Sequence, residues 1–448
     1  MSDATITDLY EVTMALSFLR EGMEQPATFS CFVRELPPER GFLVAAGAET
    51  VLDYLAGFHV DREDVEVFAE ALQRPSADLA PLLDLRFTGE ARLVPEGRVV
   101  LANEPLLEIT APLPEAQLVE TFVLNQLSHQ TALATKCARC VIAARGRPVV
   151  DFALRRTHGT AVAHQVARLG AMAGFAGTSN VAAAHAEDLP AVGTMAHSYI
   201  EAFEDEETAF TAFALCHPGP VTFLVDTYDT ASGVAAAARV LAALGRGDGS
   251  AIRLDSGDLA QLSRHARAML DNAGLPQVRI IASGGLDEYG VHDLTSSGAP
   301  IDVFAVGTRV GVSADAPYLD SAYKLVAYDG RPVMKLSAAK ATSPGRKQVF
   351  RRPGCLDVIG LADEPAPADS TPLLQTMMSG GERSTPRGRL EDAHQRLTED
   401  LAELPATARR IRSPQPVRAM VSHRLSVLTD RVRRRTEREM LAPFRMHA

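Results

Sequence analysis

Short apolar runs, each ending in glycine or polar residues, repeat through the middle of the chain. They are Val149-Val-Asp-Phe-Ala-Leu-Arg155, Ala191-Val-Gly-Thr-Met-Ala-His197, Thr222-Phe-Leu-Val-Asp-Thr-Tyr-Asp229, Ala251-Ile-Arg-Leu-Asp-Ser-Gly-Asp258, Arg279-Ile-Ile-Ala-Ser-Gly-Gly285 and Asp302-Val-Phe-Ala-Val-Gly-Thr308. Each reads as a buried parallel strand that delivers chemistry at its carboxyl end. From Asp226 to Thr308 they follow one another every 25 to 30 residues, roughly, with alanine-rich stretches of helical period between them, which is the rhythm of a β/α barrel. In such barrels the strand ends form the active site.

The flanks read differently. Residues 1–115 combine a helix-like opening with two β-rich stretches, Phe87–Val94 and Val99–Thr110, punctuated by glycine and proline as in an open sheet. A long helical pattern over Leu118–Ala144 leads into the first barrel-type run. After the last run, Tyr323–Tyr328, Asp329-Gly330 and Val333–Ser337 look like a hairpin. Beyond Asp363 the chain turns to Pro, Ala, Asp and Ser, then to helical patterns over Leu390–Leu404 and Pro416–Leu441. The expected organisation is a sheet domain over 1–115, a catalytic barrel over 116–315, a hairpin segment over 316–360 that rejoins the sheet, and a helical extension over 361–448.

Charge narrows the partners. With 448 residues and a net charge of -11, the chain is large enough for two domains and is unsuited to nucleic acid, whose binding rests on neutralising phosphates. Arg431, Arg433, Arg434, Arg435 and Arg438 are mixed with Glu437 and Glu439, so this basic stretch reads as a solvated helix face. Five cysteines without a disulfide-like spacing indicate a reducing compartment, and Cys137-x-x-Cys140 lacks the second pair that a structural zinc needs. No apolar run reaches the roughly 20 residues of a membrane span. The opening Met1–Arg20 carries Asp3, Asp8 and Glu11 and lacks the basic start of a signal peptide, so a cytoplasmic location is expected, with no membrane partner.

Candidate chemistry collects at the run ends. Ser283-Gly284-Gly285 and Gly307-Thr308 follow the last two runs, where unobstructed backbone N–H groups can surround a phosphate. No P-loop is present, so any ATP must use the same barrel mouth. Asp226, Asp229, Asp255 and Asp258 bring carboxylates to adjacent ends, suited to ribose hydroxyls, to a phosphate-borne Mg²⁺ or to capping the next helix. Arg253 lies two residues before Asp255, so both side chains face one side of a strand. Arg253 is then either half of an ion pair or a fork for a carboxylate substrate, and Arg155 and Arg156 pose the same choice. His197 closes its run and in a phosphate-rich site can act as nucleophile or general base, whereas His158 and His164 read as loop or helix residues.

Taken together, Thr7–Met14, Phe152–Gly159, Gly177–Asn180, Gly193–Ser198, Asp226–Thr230, Arg253–Asp258, Val306–Thr308 and Tyr323–Val326 resemble, in order, the motifs of the nicotinate phosphoribosyltransferase family. The likeness spans residues 5–350. It implies a type II phosphoribosyltransferase fold, an irregular α/β barrel with an α+β sheet domain built from both chain ends. It also implies condensation of nicotinate with phosphoribosyl pyrophosphate to nicotinate mononucleotide and pyrophosphate, coupled to ATP hydrolysis, in NAD biosynthesis. Mg²⁺ and ATP are the implied cofactor and co-substrate, with no direct protein ligation of the metal. A homodimer with shared sites is implied as well.

By the same resemblance His197 matches the histidine that ATP phosphorylates, and Asp255 would orient the ring nitrogen or steady the ribose as positive charge develops at C1. Thr194 and Arg253 match nicotinate contacts, Tyr10 and Phe152 would stack on the pyridine, with Tyr10 reaching from the partner subunit, and Arg155 lies close to the ring and its phosphates. Gly284, Gly285, Gly307 and Thr308 would hold the 5-phosphate, with Arg34 and Lys324 serving the pyrophosphate. Ser179 stands where the nicotinamide-specific relatives carry an aspartate, which favours the acid. Ala153 departs from the glycine usual there, and its methyl would crowd the ring. The rival readings are a phosphoribosyltransferase for another pyridine acid such as quinolinate, a non-catalytic phosphosugar or nucleotide sensor, and a barrel lyase, which would need a strand-end lysine.

Overall fold

This computed structural model describes residues 3–336 and 342–441. Two compact units emerge, and neither is one continuous stretch of chain. The first comprises 1–132, 318–410 and 414–448, the second 133–317 with 411–413.

The first unit is built on a seven-stranded antiparallel sheet in the order Arg331–Pro332, Ser321–Tyr328, Pro26–Val33, Pro105–Pro112, Glu90–Leu93, Gln375–Ser379 and Glu382–Arg383. The strand Pro26–Val33 is buried along nearly its whole length, which its Phe29, Cys31 and Val33 make favourable, and it sits between two long partners. The turn at Asp329-Gly330 returns the chain into the short partner Arg331–Pro332; the last residue of the expected hairpin, Ser337, lies outside the described residues. The helices Leu9–Arg20, Ala48–Gly57 and Arg62–Leu72 belong to this unit, and Leu52, Leu107, Val123 and Met378 are fully buried in its core.

The stretch beyond 361 is more than a helical extension. Its strand Gln375–Ser379 pairs with Glu90–Leu93, and Met420–Val421 joins Val358–Leu361 in a four-stranded sheet with Lys347–Arg351 and Thr371–Pro372. These strands run only two to five residues, too short to leave a clear alternation in the sequence. Arg351, at the end of Lys347–Arg351, joins this sheet to the helix Leu390–Glu403, with a two-pronged contact to Asp357 at 2.6 and 3.1 Å and a third bond to Asp400 at 2.7 Å, all buried.

The second unit is the expected α/β framework. Six parallel strands lie in the order Gly177–Thr178, Val149–Asp151, Val303–Val306, Arg279–Ala282, Ala251–Leu254 and Thr222–Leu224. The helices between them start at side-chain caps: Asp229 for Thr230–Leu244, Asp258 for Leu259–Asn272 and Asp287 for Glu288–Ser296. One expectation is corrected. The run Ala191–His197 makes no strand beyond a single bridge from Ala191 to Thr178, because Pro190 and Gly193 break it, and the edge position is taken by Gly177–Thr178 instead. His197 therefore opens the short helix His197–Glu201 rather than ending a strand.

Candidate active site

Arg253 is the centre of the strand-end cluster in the second unit. Its side chain is 9 % exposed. Nε donates to Ser283 Oγ at 2.8 Å, Nη1 to Thr194 Oγ1 at 3.0 Å, and Nη2 to Asp255 Oδ1 at 2.7 Å. The guanidinium carbon stands 5.5 Å from the centroid of the Phe152 ring, in cation–π range. Arg253 is thus an ion-pair partner of Asp255 and also a planar donor beside an aromatic ring.

Asp255 is fixed on every side. Its backbone N–H donates to Asp226 Oδ2 at 2.8 Å, which also accepts from Ser256 Oγ at 3.0 Å, and its Oδ1 accepts from Ser283. Burial alone would raise its pKa, but the bonds from Ser283 and Arg253 outweigh that and hold the carboxyl below its ordinary value. Asp226 keeps a buried Oδ1 with no hydrogen-bond partner among the described residues, and Glu206 keeps a buried Oε1 in the same state. Asp229 and Asp258, by contrast, are spent on helix caps, accepting from Ser232 and from Ala260 and Gln261.

The glycines are where side chains cannot go. Gly284 has φ +90° and its missing Cβ would meet the Asp255 carbonyl oxygen at 1.7 Å, while a Cβ on Gly307 would meet the Phe152 carbonyl oxygen at 2.8 Å. Gly285, at φ +69°, is exposed beside Gly284, and Thr308 begins the one-turn helix Thr308–Gly311.

His197 is half-buried, its Nδ1 3.1 Å from Thr227 Oγ1. Ser179 is half-buried and its N–H donates to the Asp151 carbonyl at 2.8 Å. The Asp151 carboxyl, raised in pKa by burial, accepts from Thr178 Oγ1 at 2.6 Å and from the Ala153 N–H at 2.8 Å. Arg155 is exposed on the turn Leu154–Arg156, so it does not end the strand, which stops at Asp151. Ala153 is fully buried with its methyl against Gly311, so that a bare backbone position opposite supplies the room the methyl takes.

Tyr10, Arg34 and Lys324 belong to the first unit. Tyr10 is 47 % exposed, Arg34 pairs with Asp320 at 2.7 Å, and Lys324 lies 4.0 Å from Glu120. Sequence reasoning gave no role to Thr227, Asp151 or Glu206. Thr227 and Asp151 each stand at or just past a strand end, which is the signal that could have found them; Glu206, at a helix start, carries none. Among the described residues no group of three or more His, Cys, Asp or Glu side chains is placed to hold a metal ion, and no helix is long and apolar enough to cross a membrane.

Known families place this arrangement. The profile of the nicotinate phosphoribosyltransferase (NAPRTase) N-terminal domain matches residues 5–128, that of the nicotinate phosphoribosyltransferase (NAPRTase) family matches 148–346, and that of the C-terminal domain matches 362–429. The chain belongs to the nicotinate phosphoribosyltransferase family. A nicotinate phosphoribosyltransferase of Mycobacterium tuberculosis is 50 % identical over 385 residues, covering 85 % of this chain and 82 % of the relative. The human nicotinate phosphoribosyltransferase is 30 % identical, covering 95 % and 96 %. The crystal structure of human nicotinic acid phosphoribosyltransferase superposes with a TM-score of 0.83 at 28 % identity, covering 95 % of this chain and 99 % of that one. The fold is accordingly the type II phosphoribosyltransferase α/β fold. Within the nicotinate phosphoribosyltransferase frame, the strand-end cluster of Arg253, Asp255, Thr194, Phe152 and Gly284 is contiguous, with Ser283 hydrogen-bonded to two of its members, Arg253 and Asp255.

Proposed function

We propose that this chain condenses nicotinate with phosphoribosyl pyrophosphate to give nicotinate mononucleotide and pyrophosphate, coupled to ATP hydrolysis through a phosphohistidine at His197, on the route to NAD. The observation that carries the reading is the Arg253 guanidinium, held beside Phe152 by Thr194, the Met195 carbonyl, Ser283 and Asp255, with one Nη2 hydrogen to spare for a carboxylate.

The pyridine ring lies against Phe152 with its carboxylate on Arg253 and Thr194. As the bond from C1 to pyrophosphate breaks and the ring nitrogen attacks C1, positive charge grows on the ribose, and the ionised Asp255 stabilises it. Asp226 Oδ1, buried and unpartnered, is left to accept from a ribose hydroxyl or from water on a metal. The backbone at Gly284, Gly285, Gly307 and Thr308 donates to the 5-phosphate, with Arg34, Lys324 and Arg155 near the phosphates. Mg²⁺ would arrive on the pyrophosphate, whose oxygens suit it as ligands. Ser179 leaves room for the substrate's negative charge.

For the coupling, Thr227 at Nδ1 fixes the His197 ring and leaves Nε2 to attack the γ-phosphorus of ATP, releasing ADP. Water then cleaves the phosphohistidine to phosphate. A charged phosphoryl beside Asp255 changes the field of the pyrophosphate pocket, which links the two reactions. We also propose a cytoplasmic homodimer. Ile6, Leu9, Tyr10 and Met14 are exposed apolar side chains clustered at the chain start, which supports a partner subunit covering them and receiving Tyr10.

The test is pyrophosphate release with phosphoribosyl pyrophosphate and Mg²⁺, comparing nicotinate, nicotinamide and quinolinate with and without ATP. Turnover confined to nicotinate and raised by ATP is expected, and His197→Ala should fold normally yet lose the ATP stimulation. Equal stimulation in that variant removes the phosphohistidine, and silence with every acid removes the reaction.

A further inference from the structure

A group of side chains in the first unit holds one proton more than its hydroxyls can supply. Glu11, on the helix Leu9–Arg20, has no exposed surface. Thr121 Oγ1 lies 2.5 Å from Glu11 Oε1 and 2.7 Å from Asp8 Oδ2, while Thr7 Oγ1 touches Glu11 Oε2. Thr7 Oγ1 also lies 3.4 Å from the Leu118 carbonyl oxygen; the three contacts to carboxyl oxygens alone need three protons, and the two threonine hydroxyls bring two. The third must sit on a carboxyl. Asp8 is exposed and Glu11 is not, and an ionised carboxylate is the costlier one to keep away from water. Burial pushes Glu11 up to about 7, against the bonds from Thr121 and Thr7 and with the charge of Glu120 adding to it.

We infer that Glu11 is a positioning residue that keeps its proton, bridging through Thr121 to Asp8 and so fixing the first turn of the helix that presents Tyr10. This rests on the proposed stacking of Tyr10 on the pyridine. Tyr10 immediately precedes Glu11, and its own phenol is raised in pKa by burial and by the charges of Glu120 and Glu11. The groups facing this cluster are Asp3 from the opening turn, Asp8 and Tyr10 from the segment itself, Cys31 from Pro26–Val33, Tyr54 from Ala48–Gly57, Glu120 from Glu120–Ala144, and Tyr323 and Lys324 from Ser321–Tyr328. Of these only Lys324 is basic, and it stands closest to Glu120 at 4.0 Å. Removing the Glu11 proton therefore sets its charge beside Glu120 and Asp8 with one hydroxyl between two carboxylates. The pinned turn then loses a bond and gains repulsion.

Glu11→Gln is the discriminating variant, because its amide offers a donor to Thr121 and an acceptor to Thr7 and cannot ionise. With the full chain, kcat/KM for nicotinate is measured from about pH 6 to 9 and the Tm without substrates from about pH 4 to 9. In the wild type kcat/KM should fall by up to about ten-fold per pH unit above 7, mainly through KM, and Glu11→Gln should lack that limb. The wild-type Tm should drop relative to Glu11→Gln as pH rises from about 4.5 to 7, where the folded chain holds a proton that the unfolded chain has lost, and level off above. Thr121→Val, which removes the bridge, should raise KM even at the acidic end. An unchanged alkaline limb in Glu11→Gln, Tm curves that run parallel, or a wild-type KM in Thr121→Val each overturns the inference. The substrate-free Tm comparison decides the proton even if nicotinate proves not to be the substrate. A Tm difference without a KM difference confines the proton to stability and overturns the positioning role.

Discussion

The carbonyl oxygen of Asp255 occupies the place from which a side chain on Gly284 would start: a Cβ there meets it at 1.7 Å, in a backbone already at φ +90°. The strand that carries the acid and the loop proposed to carry the phosphate are thereby in backbone contact. Gly284→Ala must push them apart or give up the left-handed turn, at a cost of about 1–3 kcal/mol in strain alone. The expected result is a folded protein whose KM for phosphoribosyl pyrophosphate rises at least about ten-fold. A variant with normal KM would take Gly284 out of the phosphate site.

Arg253→Lys keeps a charge for Asp255 but loses the planar fork that reaches Thr194 and Ser283. Losing a charged hydrogen bond to substrate costs about 1.5–3 kcal/mol, so KM for nicotinate should rise roughly ten- to hundred-fold, with kcat less affected. Steady-state kinetics with nicotinate as the varied substrate checks this. A change confined to kcat would place Arg253 at the reacting centre instead.

Ser179→Asp adds a carboxylate beside the proposed position of the substrate's own. Like charges at such range disfavour each other, so the ratio of kcat/KM for nicotinate over nicotinamide should fall by at least about ten-fold. Competition between the two labelled substrates measures the ratio directly, and an unchanged ratio denies Ser179 its part in selectivity.

Asp255 has a pH signature opposite to that of Glu11. Its folded pKa is depressed, so the stabilisation from Ser283 and Arg253 is present above the ordinary carboxylate value and lost as pH falls through the depressed one. Wild-type stability should therefore decline below about pH 4 more steeply than that of Asp255→Asn. Urea unfolding across that range tests it; equal slopes would mean that the carboxyl is not held ionised.

Gly311 makes room for Ala153. A methyl on Gly311 would stand 2.4 Å from Thr157 Oγ1 and 3.0 Å from Ala153 Cβ. Gly311→Ala should cost about 1–3 kcal/mol, and combining it with Ala153→Gly should recover part of that loss. Thermal unfolding of the two single variants and the double variant gives the coupling, and strict additivity would show that the two positions do not share the space.

Much of this was legible because strand geometry repeats every two residues. Arg253 and Asp255 had to share a face, and the apolar runs had to be buried. What remained hidden has physical reasons. Asp226 and Asp229 are the same residue type three positions apart, yet one accepts from the Asp255 N–H and the Ser256 hydroxyl at a neighbouring strand end and the other caps its own helix. Ala191–His197 has the composition of a strand, but Pro190 and Gly193 leave it a single bridge. Gln375–Ser379 finds its partner in Glu90–Leu93, a pairing that no local pattern announces.

The path of the chain between units carries a consequence for its synthesis. A chain grown as far as residue 317 contains all six strands of the parallel sheet, yet it lacks the three residues 411–413. Those residues supply the Ile411 carbonyl that accepts from the fully buried Arg139 at 2.8 Å and the Arg412 side chain that pairs with Asp293 at 2.8 Å and lies over the Tyr289 ring at 5.1 Å. Until they emerge from the ribosome, a buried guanidinium is missing one of its acceptors. The barrel unit must wait, partly unsatisfied, for a segment made about a hundred residues later.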